Sequence, residues 1–171
     1  MIYDFDALKV IFEQIPASCV EKTVQTVNGH ERIFLYGAGR SGLMLRAFAM
    51  RLSQTGRTVY VVGETVTPAI KENDLLILAS ASGKTPSVLR CAQTAKEVGA
   101  TIYALTASSD SELAARSDAV VVLPSPTKDS ASTTSIMGTL FEQSVLLFCD
   151  ATVEALGEDA EQMRARHANL E

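Results

Sequence analysis

The stretch Arg32-Ile33-Phe34-Leu35-Tyr36-Gly37-Ala38-Gly39-Arg40-Ser41-Gly42 decides the fold. An apolar, strand-like run enters a turn of small residues, and a Leu-, Met-, Ala- and Phe-rich helical pattern then continues to Gln54. A strand, a small turn and a helix N-terminus, in that order, present backbone N–H groups and the positive end of a helix dipole to an anion. The pattern recurs at Leu75-Leu76-Ile77-Leu78-Ala79, followed by Ser80-Ala81-Ser82-Gly83-Lys84-Thr85. This second loop adds the hydroxyls of Ser80, Ser82 and Thr85, which can donate to phosphate oxygens. Two such loops in one small parallel-sheet domain predict a pocket for a small phosphorylated ligand at the C-terminal ends of the strands.

The flanking sequence supplies the other elements. Phe5, Leu8, Ile11, Phe12 and Ile15 form a helical pattern, and Pro16 either breaks it or opens a second helix ending at Asn28-Gly29. Further strands are expected at Thr58 to Val62, Thr101 to Thr106 and Ala119 to Leu123. Helices are expected at Thr85 to Val98, Ser111 to Arg116, Thr134 to Leu156 and, after Gly157, Glu158 to Ala168. Pro124 to Thr133 reads as a polar loop. Short apolar strands separated mostly by helices predict an α/β, three-layer sandwich: a five-stranded parallel sheet flanked by helices on both faces.

Composition narrows the function. The 171 residues suit a single domain, 1–171, able to bury a full core without staples. Fifteen Lys and Arg stand against twenty Asp and Glu, a net charge of −5, which argues against nucleic acid and against an anionic membrane as partners. An anionic ligand must therefore be held by local donors. Cys19, Cys91 and Cys149 lack metal-ligand spacing and read as reduced thiols of a cytoplasmic chain. The N-terminus lacks the basic and apolar regions of a signal peptide, and no apolar stretch approaches a membrane span.

Two motifs invite other readings. Gly37 to Gly42 fits the G-x-G-x-x-G of dinucleotide-binding folds, with Glu64 near the position of a ribose-binding acid. That reading leaves the second, hydroxyl-rich loop unexplained and finds no second domain for a hydride acceptor. Gly83-Lys84-Thr85 resembles the end of a phosphate-binding Walker loop, but the required earlier Gly is Leu78.

Six segments carry a resemblance: Gly37 to Gly42, Ala47-Phe48-Ala49-Met50-Arg51-Leu52, Val61-Val62-Gly63-Glu64-Thr65 with Thr67-Pro68, Asp74-Leu75-Leu76-Ile77, Met137-Gly138-Thr139-Leu140-Phe141-Glu142, and the tail Arg166-His167-Ala168-Asn169-Leu170. In this order, over nearly the whole chain, they resemble the sugar isomerase (SIS) domain family. The resemblance implies a flavodoxin-like sheet and a small phosphorylated sugar substrate. It also implies a homo-oligomer, a tetramer with sites at subunit boundaries, and no metal or other cofactor. The activity it implies is interconversion of 3-hexulose 6-phosphate and fructose 6-phosphate through an enediol. Another phosphosugar isomerase or lyase, or a non-catalytic phosphosugar sensor, stays open on the same fold. Ala81 stands where the family usually has Gly, and a methyl there narrows the backbone's approach to phosphate unless its φ is negative.

Moving a carbonyl between C3 and C2 needs a base that removes a proton beside the carbonyl. Glu142 is the candidate, set between Leu140-Phe141 and Val145-Leu146-Leu147, apolar neighbours that keep water from a carboxylate. His167 is the second catalytic candidate: a neutral imidazole both donates and accepts, and a terminal helix can reach a neighbouring subunit. Gly39, Arg40, Ser41, Arg51, Glu64, Thr65, Ser80, Ser82, Lys84 and Thr85 are candidates for binding phosphate and sugar hydroxyls. Ser and Thr also cap helices, Thr85 being the most cap-like. His30 precedes the first strand, at the wrong sheet end for this site, and reads as structural.

Overall fold

In the computed structural model, which describes residues 5–127 and 138–170, the five residues of β3 (Leu75–Ala79) are all buried. An all-apolar strand is stable only where both sheet faces are covered, and each fully buried Leu or Ile contributes about 1.5–3 kcal/mol there. β3 is accordingly central. It lies between β1 (Arg32–Gly37) and β4 (Thr101–Thr106), with β2 (Thr58–Val61) and β5 (Ala119–Val122) at the edges. The order is β2-β1-β3-β4-β5 and every pairing is parallel. The direction of winding reverses between β1 and β3, the switch point where such sheets open a crevice. The register pairs Gly37 with Ala79, so the two small-residue loops leave the sheet side by side.

Helices α2 (Ser18–Asn28), α3 (Gly39–Gln54) and α6 (Thr139–Leu156) cover one face through Val27, Leu45, Phe48, Leu52, Phe141, Val145 and Phe148. Helices α4 (Pro86–Glu97) and α5 (Glu112–Arg116) cover the other through Val88, Ala92, Ala95 and Leu113. α1 (Phe5–Glu13) reaches the fold through Leu8 and Ile11 against Leu140 of α6. The connection from β2 to β3 carries no helix. It leaves a hollow of about 440 Å³ over Phe34, Tyr36 and Leu76, walled by Ile70 and Cys91. Burial pushes the Cys91 thiol up, partly offset by the charge of Arg90. Leu43, Met50 and Leu147 stay exposed on the outer side of α3 and α6.

Differences from the expected elements are local. α3 begins at Gly39, earlier than Ser41, with Ala38 as its extended N-cap. The tail helix α7 spans only Ala160–Ala165, because the Asp159 carboxylate accepts from the N–H groups of Glu161 and Gln162 and starts the helix there. The expected helix start at Thr134 and residues 128–133 of the expected polar loop lie outside the described residues. Ala81 keeps a negative φ, since Asn73 is the non-glycine residue of positive φ among the described residues. His30 bridges α2 to β4, its Nδ1 2.7 Å from the Thr26 carbonyl and its Nε2 3.0 Å from Thr101 Oγ1, at the opposite end of the sheet from the crevice.

Candidate active site

The first loop is closed by glycine. A Cβ on Gly42 would lie 2.1 Å from the carbonyl oxygen of Gly37, and one on Gly37 would lie 2.9 Å from the Gly42 nitrogen. Backbone therefore meets backbone across the turn, which only Gly at both positions allows. This tight turn delivers Ser41 and the start of α3 to the crevice. No side chain caps α3 at Ala38.

The second loop is built from hydroxyls. Buried Ser80 accepts at Oγ from the Gly83 N–H (3.1 Å) and lies 2.9 Å from Thr85 Oγ1. Ser82 Oγ receives the Lys84 N–H at 3.3 Å. Thr85 occupies the N-cap position of α4 as its sequence suggests, yet its side chain makes no cap hydrogen bond. Pro86 follows in the first turn, where a missing N–H costs nothing.

α6 completes the crevice. Its N-cap is Gly138 at φ 80°, again without a side-chain cap, and Glu142 sits in its first turn with a side chain only 12% exposed. Three helix N-termini thus converge on one cleft of about 290 Å³, lined by Gly39 and Ser41, by Ser80, Ser82 and Thr85, and by Glu142. The N–H groups and dipoles of helix N-termini favour an anion. Among the described lining residues Glu142 supplies the carboxylate, and Arg40 Nε donates to it from the first loop. The arrangement can hold a small phosphorylated molecule while a half-buried carboxylate faces its carbon chain.

Six of the candidate residues therefore line the cleft, and Arg40 joins them through Glu142. Five do not line it. Glu64 is exposed after β2 and pairs with Arg46 at 2.7 Å; Thr65 is exposed beside it. Lys84 is exposed at the tip of the second loop. Arg51 lies in the last turn of α3, its Nη1 donating to Gln54 Oε1 at 3.0 Å, about 18 Å of helix from Gly39. His167 is exposed beyond α7, past the C-terminus of α6, whereas Glu142 lies in its first turn, about 21 Å of helix before Leu156. Arg51 and His167 share a region nonetheless. Arg166 Nη1 donates to the Gln54 carbonyl at 3.1 Å and its guanidinium covers Gly56, so the tail docks where Arg51 ends α3.

Thr127, Gly138 and Phe141, which no sequence motif marks as binding residues, also line the cleft. Thr127 follows β5, so the rule that drew attention to the loops after β1 and β3 applies to it as well.

The chain matches the SIS domain family over residues 27–147, and it belongs to that family. It is 48% identical over 147 residues to a 3-hexulose-6-phosphate isomerase of Mycobacterium gastri, covering 82% of this chain and 74% of that one. The 3-hexulose-6-phosphate isomerase of Bacillus subtilis strain 168 is 43% identical over 148 residues, covering 82% and 80%. In structure this chain superimposes with a TM-score of 0.86 on a Methanococcus jannaschii protein whose structure infers a molecular function of 3-hexulose-6-phosphate isomerase. That pair is 32% identical, with 98% of each chain covered.

Proposed function

We propose that this protein is a phosphosugar isomerase that interconverts 3-hexulose 6-phosphate and fructose 6-phosphate. The observation that carries the reading is the half-buried Glu142 carboxylate facing a cleft made of three helix N-termini and loop hydroxyls. The named relatives supply the sugar. The two loops hold the phosphate, remote from the reacting carbons. Glu142 takes the proton from C2 beside the C3 carbonyl, an enediol spans C2 and C3, and the proton returns to C3 as the carbonyl moves to C2. Arg40, already on the Glu142 carboxylate, orients it and meets the substrate's negative charge.

The hydroxyl protons on O2 and O3 must exchange as well, and His167 is the group for that step. Within one chain it lies far from Glu142, in the region where Arg51 also lies. The joint placement of these two candidates supports a site completed by a neighbouring subunit in a homotetramer. The three cysteines, free in this chain, fit a cytoplasmic setting, and the 171 residues act as one domain.

The test is to add 3-hexulose 6-phosphate and follow fructose 6-phosphate by a coupled assay. Product should form at full rate in the presence of EDTA. No product, or a rate abolished by EDTA and restored by a divalent metal, refutes the proposal. For the subunit arrangement, deleting 158–171 should abolish activity with the core intact. Mixing that variant with Glu142→Gln should restore part of it. A fully active deletion variant excludes a role for His167.

A further inference from the structure

The second loop is shaped from behind by residues that never reach the cleft. Two of its carbonyl oxygens, those of Ala81 and Gly83, are bonded to β4, to the turn after it and to α5. The Ala81 carbonyl accepts from the Ala107 N–H (3.1 Å) and from Thr106 Oγ1 (3.3 Å), and the Gly83 carbonyl accepts from the Leu113 N–H (2.9 Å). Gly83, at φ +60°, presses its Cα side onto Ser111: a Cβ there would lie 2.3 Å from the Ser111 Cβ and 2.4 Å from its Oγ.

The hydroxyls of Thr106 and Ser111, 3.3 Å apart, link these contacts into one chain. Its polarity is forced by its ends. Ala81 offers only an acceptor, so Thr106 gives its single hydroxyl proton there and must accept from Ser111. Ser111 in turn accepts from the Ala114 N–H at 3.2 Å as the N-cap of α5. Thr106 is 0% exposed and Ser111 4%, so neither can substitute water for a lost partner. A carbonyl oxygen swung into the cleft would repel an anion. Holding the Ala81 and Gly83 carbonyls back is therefore a condition for phosphate binding.

We infer that Thr106 and Ser111 are positioning residues that set the phosphate affinity of the second loop without touching the ligand. The inference rests on the assignment of that loop to the substrate phosphate. Three proteins are compared: the wild type, Thr106→Val, which keeps the buried shape and removes the hydroxyl, and Thr106→Ser, which restores it. For each, KM and kcat for the sugar phosphate and the Ki of inorganic phosphate as competitor are measured.

Thr106→Val should raise KM and phosphate Ki together by about tenfold, the effect of one lost buried hydrogen bond, with kcat changed less than about twofold. Thr106→Ser should return both to within about twofold of wild type, since the hydroxyl is what matters. A purely structural role would lower thermal stability and leave Ki unmoved, and that result overturns the inference. So does a Thr106→Ser variant as impaired as Thr106→Val. If Thr106→Val does not fold, Ser111→Ala is read by the same two constants, and unchanged values overturn the inference equally. A wild type indifferent to phosphate refutes the phosphate assignment itself. A phosphate-sensitive wild type with unaffected variants refutes only the brace.

Discussion

The two loops leave adjacent strands, begin helices and line one cleft, yet they are built on opposite principles. The first is made by absence of atoms: Gly37 and Gly42 let backbone close on backbone, with 2.1 Å left for a side chain at Gly42. The second is made by presence of atoms: Ser80, Ser82 and Thr85 hold its turn, and Thr106 and Ser111 hold it from behind. A glycine turn delivers its helix end rigidly, whereas a hydroxyl turn presents polar groups to the cleft and, on the function proposed, carries the phosphate contacts. The first loop should therefore fail when atoms are added and the second when they are removed. The carboxylate facing both should decide the rate.

Glu142→Gln leaves both loops intact and removes the base, so kcat should fall by about 10²- to 10⁴-fold. Phosphate should still bind, and a folded variant turning over at the wild-type rate would remove Glu142 from the chemistry.

Gly42→Ala forces a backbone collision. Overpacking of this kind costs about 1–3 kcal/mol, or a Tm lower by about 2–12 °C in a chain of this size. Activity should be lost with the loop. Differential scanning calorimetry reads the first effect, and an unchanged Tm would mean that the turn opens without strain.

Ser82→Ala subtracts one hydroxyl from the second loop. KM should rise about three- to tenfold with kcat nearly preserved, because the phosphate is far from the reacting carbons. An unchanged KM together with an unchanged phosphate Ki would show that the second loop does not hold the phosphate.

The smallest effect concerns β4, the strand behind the second loop. Burial pushes the Tyr103 hydroxyl up to about 12, while a 2.5 Å hydrogen bond with Thr23 pulls the other way. The folded chain thus keeps a proton that the unfolded chain loses from about pH 10. Stability is full below pH 10 and declines toward pH 12. Tyr103→Phe should cost about 1 kcal/mol at neutral pH and make that alkaline decline shallower, as urea titrations at pH 8 and pH 11 would register. An equally steep decline in the variant would place the titration elsewhere.

Much of the fold was legible in the residue string because its signals are local. A run such as Leu75 to Ala79 has no polar face to leave outside, so it must be central. Gly and Ser runs after two strands mark turns that begin helices. Glu142 stood out because the helix around it is apolar. The brace did not stand out, since Thr106 and Ser111 lie over twenty residues from the loop they hold. Their role depends on the register that sets Ala79 beside Leu105. Nor did the sequence separate Ser41, which lines the cleft, from Arg51, which ends the same helix about 15 Å away.

By itself the sequence determined the succession of strands and helices along the chain, the two small-residue turns that begin helices and a carboxylate in an apolar helix, because propensity, periodicity and turn chemistry act between near neighbours. Only the tertiary structure decided that three helix N-termini share one cleft, that the Ala81 and Gly83 carbonyls of the second loop bond to the residues behind it, and that the tail carrying His167 docks at the end of α3 where Arg51 lies. These depend on strand order and register, which join residues far apart in the chain through packing and hydrogen bonds that no local pattern encodes.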